Sequence, residues 1–184
     1  GRDQAVNRTY TRQYSMNWVN SFKVNESWTL GGGADWQRDM LDDSSRSSGV
    51  AFPSDADERD NTGLYALAQF DNQVWQAELS GRSDDNEQFG RHNTWQTGAG
   101  WRFVEDYRLS ARYGTGFRAP SFNDLYYPGS GNPDLKPEES KSHELMLDGQ
   151  TAGVEWRLTG YRNDFEQMIQ WAPTNPSDSN SLWS

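Results

Sequence analysis

The sequence predicts an all-β chain, an antiparallel up-and-down transmembrane β-barrel represented by an open arc of about nine strands. Three observations predict it. Only 33% of the 184 residues are hydrophobic and mean hydropathy is −1.02, yet aromatics reach 14% with nine Trp. A period-two alternation of apolar and polar residues recurs along the chain, which is the signature of strands with one apolar face. The connections between these runs alternate in length, as they do in barrels with tight turns at one rim and long loops at the other.

Strands are expected at 7–20, 27–40, 61–71, 73–83, 94–105, 107–117, 141–149, 152–163 and 165–171. In the second, Trp28, Leu30, Gly32, Ala34 and Trp36 share one side, while Thr29, Gly31, Gly33, Asp35 and Gln37 share the other. The third offers two candidate apolar faces, Leu64, Ala66, Ala68 and Phe70 or Tyr65 and Leu67. Trp75, Ala77, Leu79 and Gly81 oppose Gln76, Glu78, Ser80 and Arg82 in the fourth. The fifth sets Trp95, Thr97, Ala99, Trp101 and Phe103 against Gln96, Gly98, Gly100 and Arg102. Tyr107, Leu109, Ala111 and Tyr113 oppose Arg108, Ser110 and Arg112 in the sixth, and Val154, Trp156 and Leu158 oppose Glu155, Arg157 and Thr159 in the eighth. Several runs reach ten residues or more, whereas strands of soluble sheets cluster near about five or six. The connections are expected to be short at 21–26, 72, 106 and 150–151 and long at 41–60, 84–93 and 118–140.

Aromatic spacing supplies an independent test. Trp28 and Trp36 lie eight residues apart on one face, as do Trp95 and Phe103, which spans about 26 Å of strand. A tilt of about 40° projects this to about 20 Å, near the roughly 25 Å apolar band between the aromatic girdles of a membrane barrel. A sandwich core, the competing reading, has no need for rings at both ends of a strand with Ala and Gly between them. An open arc leaves unpaired edges, and in lipid these must be closed by further strands.

Composition excludes other classes. No apolar run approaches the roughly twenty residues of a membrane helix. A formal charge of −10 argues against nucleic acid as a partner, because phosphates are neutralised by clustered Lys and Arg. Zero cysteines remove disulfides, thiolate metal sites and Cys nucleophiles together. Between residues 39 and 60, Asp39, Asp42, Asp43, Asp55, Asp57, Glu58 and Asp60 face only Arg46 and Arg59; the stretch reads as a solvated loop, with a cation-binding loop as the alternative. His92 and His143 fall on different elements with no nucleophile elbow or zinc-protease pairing near them, so no enzyme is indicated. No Met start, signal peptide or closing strand is evident, and an internal piece of a longer chain is expected.

Three segments carry more than pattern: RSDDNEQFGRHNTWQT at 82–97, YGTGFRAPSFNDLYYPGSGNPDLKPEES at 113–140 and TAGVEWRLTGYRND at 151–164. In the second, three X-Pro steps, Ala119-Pro120, Asn132-Pro133 and Lys136-Pro137, remove backbone donors and prevent the ladder from continuing. This segment resembles the pattern of TonB-dependent receptors, in which a strand ends in Gly-x-Gly-Phe-Arg-Ala-Pro and the chain resumes after Gly-Asn-Pro-x-Leu-x-Pro-Glu. The first and third segments, with GGGADWQ at 31–37, resemble the cobalamin-receptor branch of that family.

The resemblance implies a piece of a 22-stranded barrel, residues 1–184 being barrel throughout, with the N-terminal plug domain and the C-terminal closing strand absent. It implies an outer-membrane, multi-pass protein of a Gram-negative bacterium, with cobalamin, outer-membrane lipid and the TonB complex as partners. TonB would act through an N-terminal region missing here. Calcium is implied for the full-length family, but no metal ligand is carried onto this chain; Asp42 and Asp43 are the nearest local candidates and are not favoured. No cofactor is expected in this fragment. Phe122, Tyr126, Tyr127 and Asn132 in the loop 118–140 are the candidate substrate contacts, with packing of the loop onto its neighbours as the plainer alternative. Asp35, Glu78, Arg82, Arg102, Arg108, Arg112, Glu155 and Arg157 would face the lumen and its plug, or pair with one another in a wet interior. A receptor for a ferric siderophore, and a soluble glycan-binding sandwich that folds without detergent, are the competing functions.

Overall fold

The structure, a computed structural model, describes residues 9–43, 58–126 and 131–170, the side chains of 9–10 and 41–43 excepted. It comprises eight strands, β1 Thr9–Lys23, β2 Trp28–Asp43, β3 Glu58–Asp71, β4 Trp75–Asn86, β5 Gly90–Val104, β6 Tyr107–Arg118, β7 Glu138–Thr151 and β8 Val154–Glu166, with a short helix α1, Phe122–Tyr126, between β6 and β7. Every strand pairs antiparallel with its sequence neighbours in the order β1 to β8. This is the simplest meander and the expected open arc.

The register settles which side chains share a face. Trp28, Leu30, Gly32 and Ala34 pair with Phe70, Ala68, Ala66 and Leu64. The ambiguity in β3 is therefore resolved in favour of Leu64, Ala66, Ala68 and Phe70, and Tyr65 turns to the polar face. There its ring lies over Gly33, where an added Cβ would collide with the Tyr65 ring and the Trp18 carbonyl. The apolar face is exposed along its length, with Met16 72%, Phe22 68%, Leu79 57% and Leu158 67% accessible. A broad uncovered apolar wall of this kind is stable only against lipid or a partner.

Rings mark both borders of that wall. At the lower end, the rim carrying the turns at 24–27, 72–74, 105–106 and 152–153, Trp75 stacks on Trp101 at 5.5 Å and the contacts continue through Phe103 and Tyr107 to Trp156 at 6.0 Å. Phe103 lies at the register shift of β5 between Arg102 and Val104. At the upper end Trp95 meets Tyr113 at 4.8 Å and Tyr113 meets the edge of His143 at 4.7 Å. The strands run 12–16 residues, longer than the 9–11 or so that cross a bilayer, so their upper parts project beyond the apolar band.

Three expectations are corrected. The stretch 84–93 is not a long loop: β4 extends to Asn86, β5 starts at Gly90, and only 87–89 turn between them. Strand segments in water need no apolar face, so Asp84 and Asp85 give no strand signal. The acidic stretch 41–60 is partly strand, since Asp42 and Asp43 belong to β2 and Glu58, Arg59 and Asp60 to β3; residues 44–57 lie outside the described residues. The ninth strand at 165–171 is not formed over 167–170, and residue 171 lies outside the described residues. β8 ends at Glu166, and Gln167 takes φ 55°, a left-handed conformation that breaks an extended run.

Candidate functional site

The polar face carries two clusters. The first crosses three strands. Arg82 on β4 donates from Nη1 to Asp35 Oδ2 at 2.6 Å and from Nη2 to Asp35 Oδ1 at 2.9 Å, although Asp35 sits on β2. Gly63 on β3 lies between them, paired in register with both Asp35 and Asp84. An added Cβ there would clash with the Arg82 guanidinium and stand 2.9 Å from Asp35 Oδ1. The same guanidinium donates from Nε to Asp84 Oδ2 at 2.7 Å, and its Cζ lies 5.7 Å from the Tyr65 ring centroid. Asp84 is only 8% exposed, and Asn61 Nδ2 donates to it at 3.1 Å. A carboxylate this buried requires such partners.

Toward the lower end the balance changes. One ladder row sets Arg102 opposite Arg108, Arg108 opposite Asp148 and Asp148 opposite Arg157. Arg157 takes Asp148 as its ion-pair partner. Arg102, Arg108 and Arg112 make no ion pair with a described carboxylate, and Asp71 is the acid that both Arg102 and Arg108 influence electrostatically. Like charges directly opposite in a ladder repel. Glu78 accepts a hydrogen bond from Gln69 Nε2 at 3.0 Å, and Glu155 stands opposite Gln150 at the start of β8. The register thus brings all eight expected polar-face residues to one face, and joins Asp35 to Arg82.

The second cluster is the loop above β6. Ser121 caps α1: its Oγ accepts from Asp124 N at 3.2 Å while Asp124 Oδ2 accepts from Ser121 N at 2.9 Å, a reciprocal box that fixes where the chain turns into the helix. Asn132 N donates to the Asp124 carbonyl at 2.9 Å and closes the far side of the loop. Leu125 is 1% exposed and Phe122 6%, in a molecule with few other buried apolar side chains among the described residues.

Of the four expected substrate contacts, Phe122 is therefore turned inward, Tyr126 is half-buried with its hydroxyl accepting from Gln88 Nε2 at 3.0 Å, and Asn132 is half-buried at the loop's return. Tyr127 lies outside the described residues, as do the side chains of Asp42 and Asp43. Among the described residues no three His, Asp or Glu side chains gather as a cation site. His92 stacks on Phe117 with centroids 3.8 Å apart.

Sequence reasoning missed Arg59. It lies on β3 opposite Asp39, its side chain 10% exposed, and donates from Nη1 to the Pro120 carbonyl at 2.8 Å. Its position inside an acidic run concealed it, because its partners lie far away in the chain.

A family model described as TonB dependent receptor-like, β-barrel, matches residues 1–182. Over 173 residues the chain is 42% identical to the vitamin B12 transporter BtuB of Photobacterium profundum, covering 94% of this chain and 28% of that protein. Solved structures share the fold: the siderophore receptor PirA of Pseudomonas aeruginosa has a TM-score of 0.78 at 18% identity, over 97% of this chain and 38% of that one. The ferric enterobactin receptor PfeA of the same organism has a TM-score of 0.77 at 18% identity, over 95% and 31%. The FrpB iron transporter of Neisseria meningitidis has a TM-score of 0.73 at 14% identity, over 96% and 31%.

Proposed function

This chain belongs to the TonB-dependent receptor-like β-barrel family, and from that premise we propose that it is a stretch of barrel wall from an outer-membrane receptor that takes up cobalamin with energy supplied through TonB. The observation that carries the ligand is the 42% identity to a vitamin B12 transporter across 94% of the chain. Identity to the siderophore and iron receptors is 14–18% and supports the fold alone.

The geometry fits this reading. The apolar face with its aromatic borders is the lipid-facing wall, crossing the outer membrane of a Gram-negative bacterium several times, and the polar face lines the lumen. Closure of the arc and a plug domain are supplied by the remainder of the full-length protein, within which residues 1–184 are barrel. The lumen residues are Asp35, Glu78, Arg82, Arg102, Arg108, Arg112, Glu155 and Arg157, and five of them take one of two roles. Asp35 and Arg82 stiffen the wall. Arg102, Arg108 and Arg112, lacking carboxylate partners on the described wall, receive acidic groups of the plug.

The loop 118–140 stands at the rim with the projecting strands, so that rim faces outward. Tyr126, Tyr127 and Asn132 are the proposed ligand contacts, and the buried Phe122 anchors the loop that presents them. Calcium acts on loops elsewhere in the full-length protein. Action is by binding and gated passage, with no bond made or broken.

The test is transport. The full-length protein, expressed in a Gram-negative host lacking its own cobalamin receptor, should restore accumulation of labelled cyanocobalamin only when TonB is present. Accumulation of a ferric siderophore in place of cobalamin would transfer the assignment to the siderophore branch.

A further inference from the structure

The Arg59 guanidinium touches three separate pieces of chain. It donates to the Pro120 carbonyl at 2.8 Å and to Gln88 Oε1 at 3.4 Å, and Nη2 lies 3.6 Å from Asp39 Oδ2 on β2. Its Cζ stands 4.9 Å from the Phe122 ring centroid and 5.8 Å from that of Phe89. Gln88 and Phe89 form the turn between β4 and β5, and Pro120 and Phe122 flank the Ser121 cap of α1. One cation thus ties the wall, the β4–β5 hairpin and the α1 segment together.

We propose that Arg59 is a positioning residue, the latch that holds the Pro120–Tyr126 segment over the upper mouth in the posture that receives ligand. A planar guanidinium can donate in its plane to Pro120 and Gln88 and hold Asp39 by charge while presenting its faces to Phe122 and Phe89; a lysine ammonium, a point charge on a flexible stem, cannot do all of these. Pro120 is fully buried, so its carbonyl has little access to water once Arg59 is lost. Tyr126, one turn beyond the cap, reports the same contact because its hydroxyl is bound by Gln88. The consequence for ligand retention rests on the cobalamin reading; the latch itself does not.

The test uses full-length protein in outer-membrane vesicles, as wild type, Arg59→Met and Arg59→Lys. Amide hydrogen exchange is followed by mass spectrometry without ligand, and cyanocobalamin dissociation is followed separately. Loss of a charge-assisted hydrogen bond predicts exchange about tenfold faster over residues 121–126 in both variants, with β2 and β3 protected as in wild type. Where wild type binds cyanocobalamin, dissociation should accelerate by a similar factor and association should not change. Unchanged exchange over 121–126 in Arg59→Lys overturns the latch, even if Arg59→Met fails to assemble. Equal loosening of β3 and α1 also overturns it, because that is the mark of a structural role alone. Faster loop exchange in a protein whose wild type does not bind cyanocobalamin supports the latch and removes the ligand reading instead.

Discussion

Arg82 and Asp35 form a bidentate ion pair, at 2.6 and 2.9 Å, between strands that are not neighbours. They meet because Gly63, on the strand between them, has no Cβ to keep them apart. The glycine is thus part of the electrostatics of the wall, and removing its space should cost less than removing the cation. Gly63→Ala pushes the flexible end of Arg82 off Asp35 and is expected to cost about 1–2 kcal/mol. Arg82→Met leaves Asp35 and the buried Asp84 both without their guanidinium, at about 3 kcal/mol. Urea unfolding of the full-length protein in micelles measures both, and a smaller loss for Arg82→Met than for Gly63→Ala contradicts the network.

The face assignment predicts a sharp asymmetry between two nearby positions. Leu79 is on the apolar wall, opposite Thr97, whereas Gln96 is on the polar face opposite Ser80. Leu79→Arg should cost about 2–4 kcal/mol of folding free energy in a bilayer, while Gln96→Arg should be nearly neutral. Folding titrations into lipid vesicles distinguish them. Equal costs would mean that the apolar face is not lipid-facing.

Arg108→Glu probes the lumen. Opposite Arg102 it converts a repulsive pair into an attractive one, while opposite Asp148 it does the reverse, so in an unoccupied lumen the two changes offset and stability is nearly unchanged. A lumen in which Arg108 receives a plug carboxylate loses stability instead, because a fixed acid then meets another acid. Loss is the expected result for the full-length protein in the urea experiment above, and unchanged or increased stability would remove Arg108 from the plug contact.

Phe122 and Tyr126 should separate by role. Phe122→Ala takes out a buried ring and is expected to loosen the α1 segment by about 3 kcal/mol locally, which protease cleavage between residues 119 and 126 would register. Tyr126→Phe removes only the Gln88 hydrogen bond, worth about 1 kcal/mol, and should leave cleavage within a fewfold of wild type. The proposed ligand contact at Tyr126 then shows as weakened cobalamin binding without a loosened loop. Cleavage of Tyr126→Phe as fast as that of Phe122→Ala would merge the two roles.

What the sequence revealed follows from which forces leave a local trace. The apolar-face pattern is local: Trp28 to Trp36 and Trp95 to Phe103 alternate because each strand gathers its apolar side chains on one face, and the strands fall where that alternation places them. Tyr65 was ambiguous because its destination, over Gly33 on the neighbouring strand, is decided by register rather than by its own segment. Asp84 to Asn86 resembled a loop because a strand that projects into water has no apolar face. Arg59 could not be recognised from its acidic neighbours, since its partners Pro120 and Gln88 lie 61 and 29 residues away. The ninth strand failed where Gln167 turns left-handed, a choice with no signal in the preceding residues.

The most direct measurement is equilibrium binding of cyanocobalamin to the full-length protein in outer-membrane vesicles, with and without calcium and with ferric siderophores as competitors. Saturable binding that calcium strengthens and siderophores do not displace is the result expected. Correctly inserted protein that binds a siderophore and leaves cyanocobalamin in solution would contradict the account.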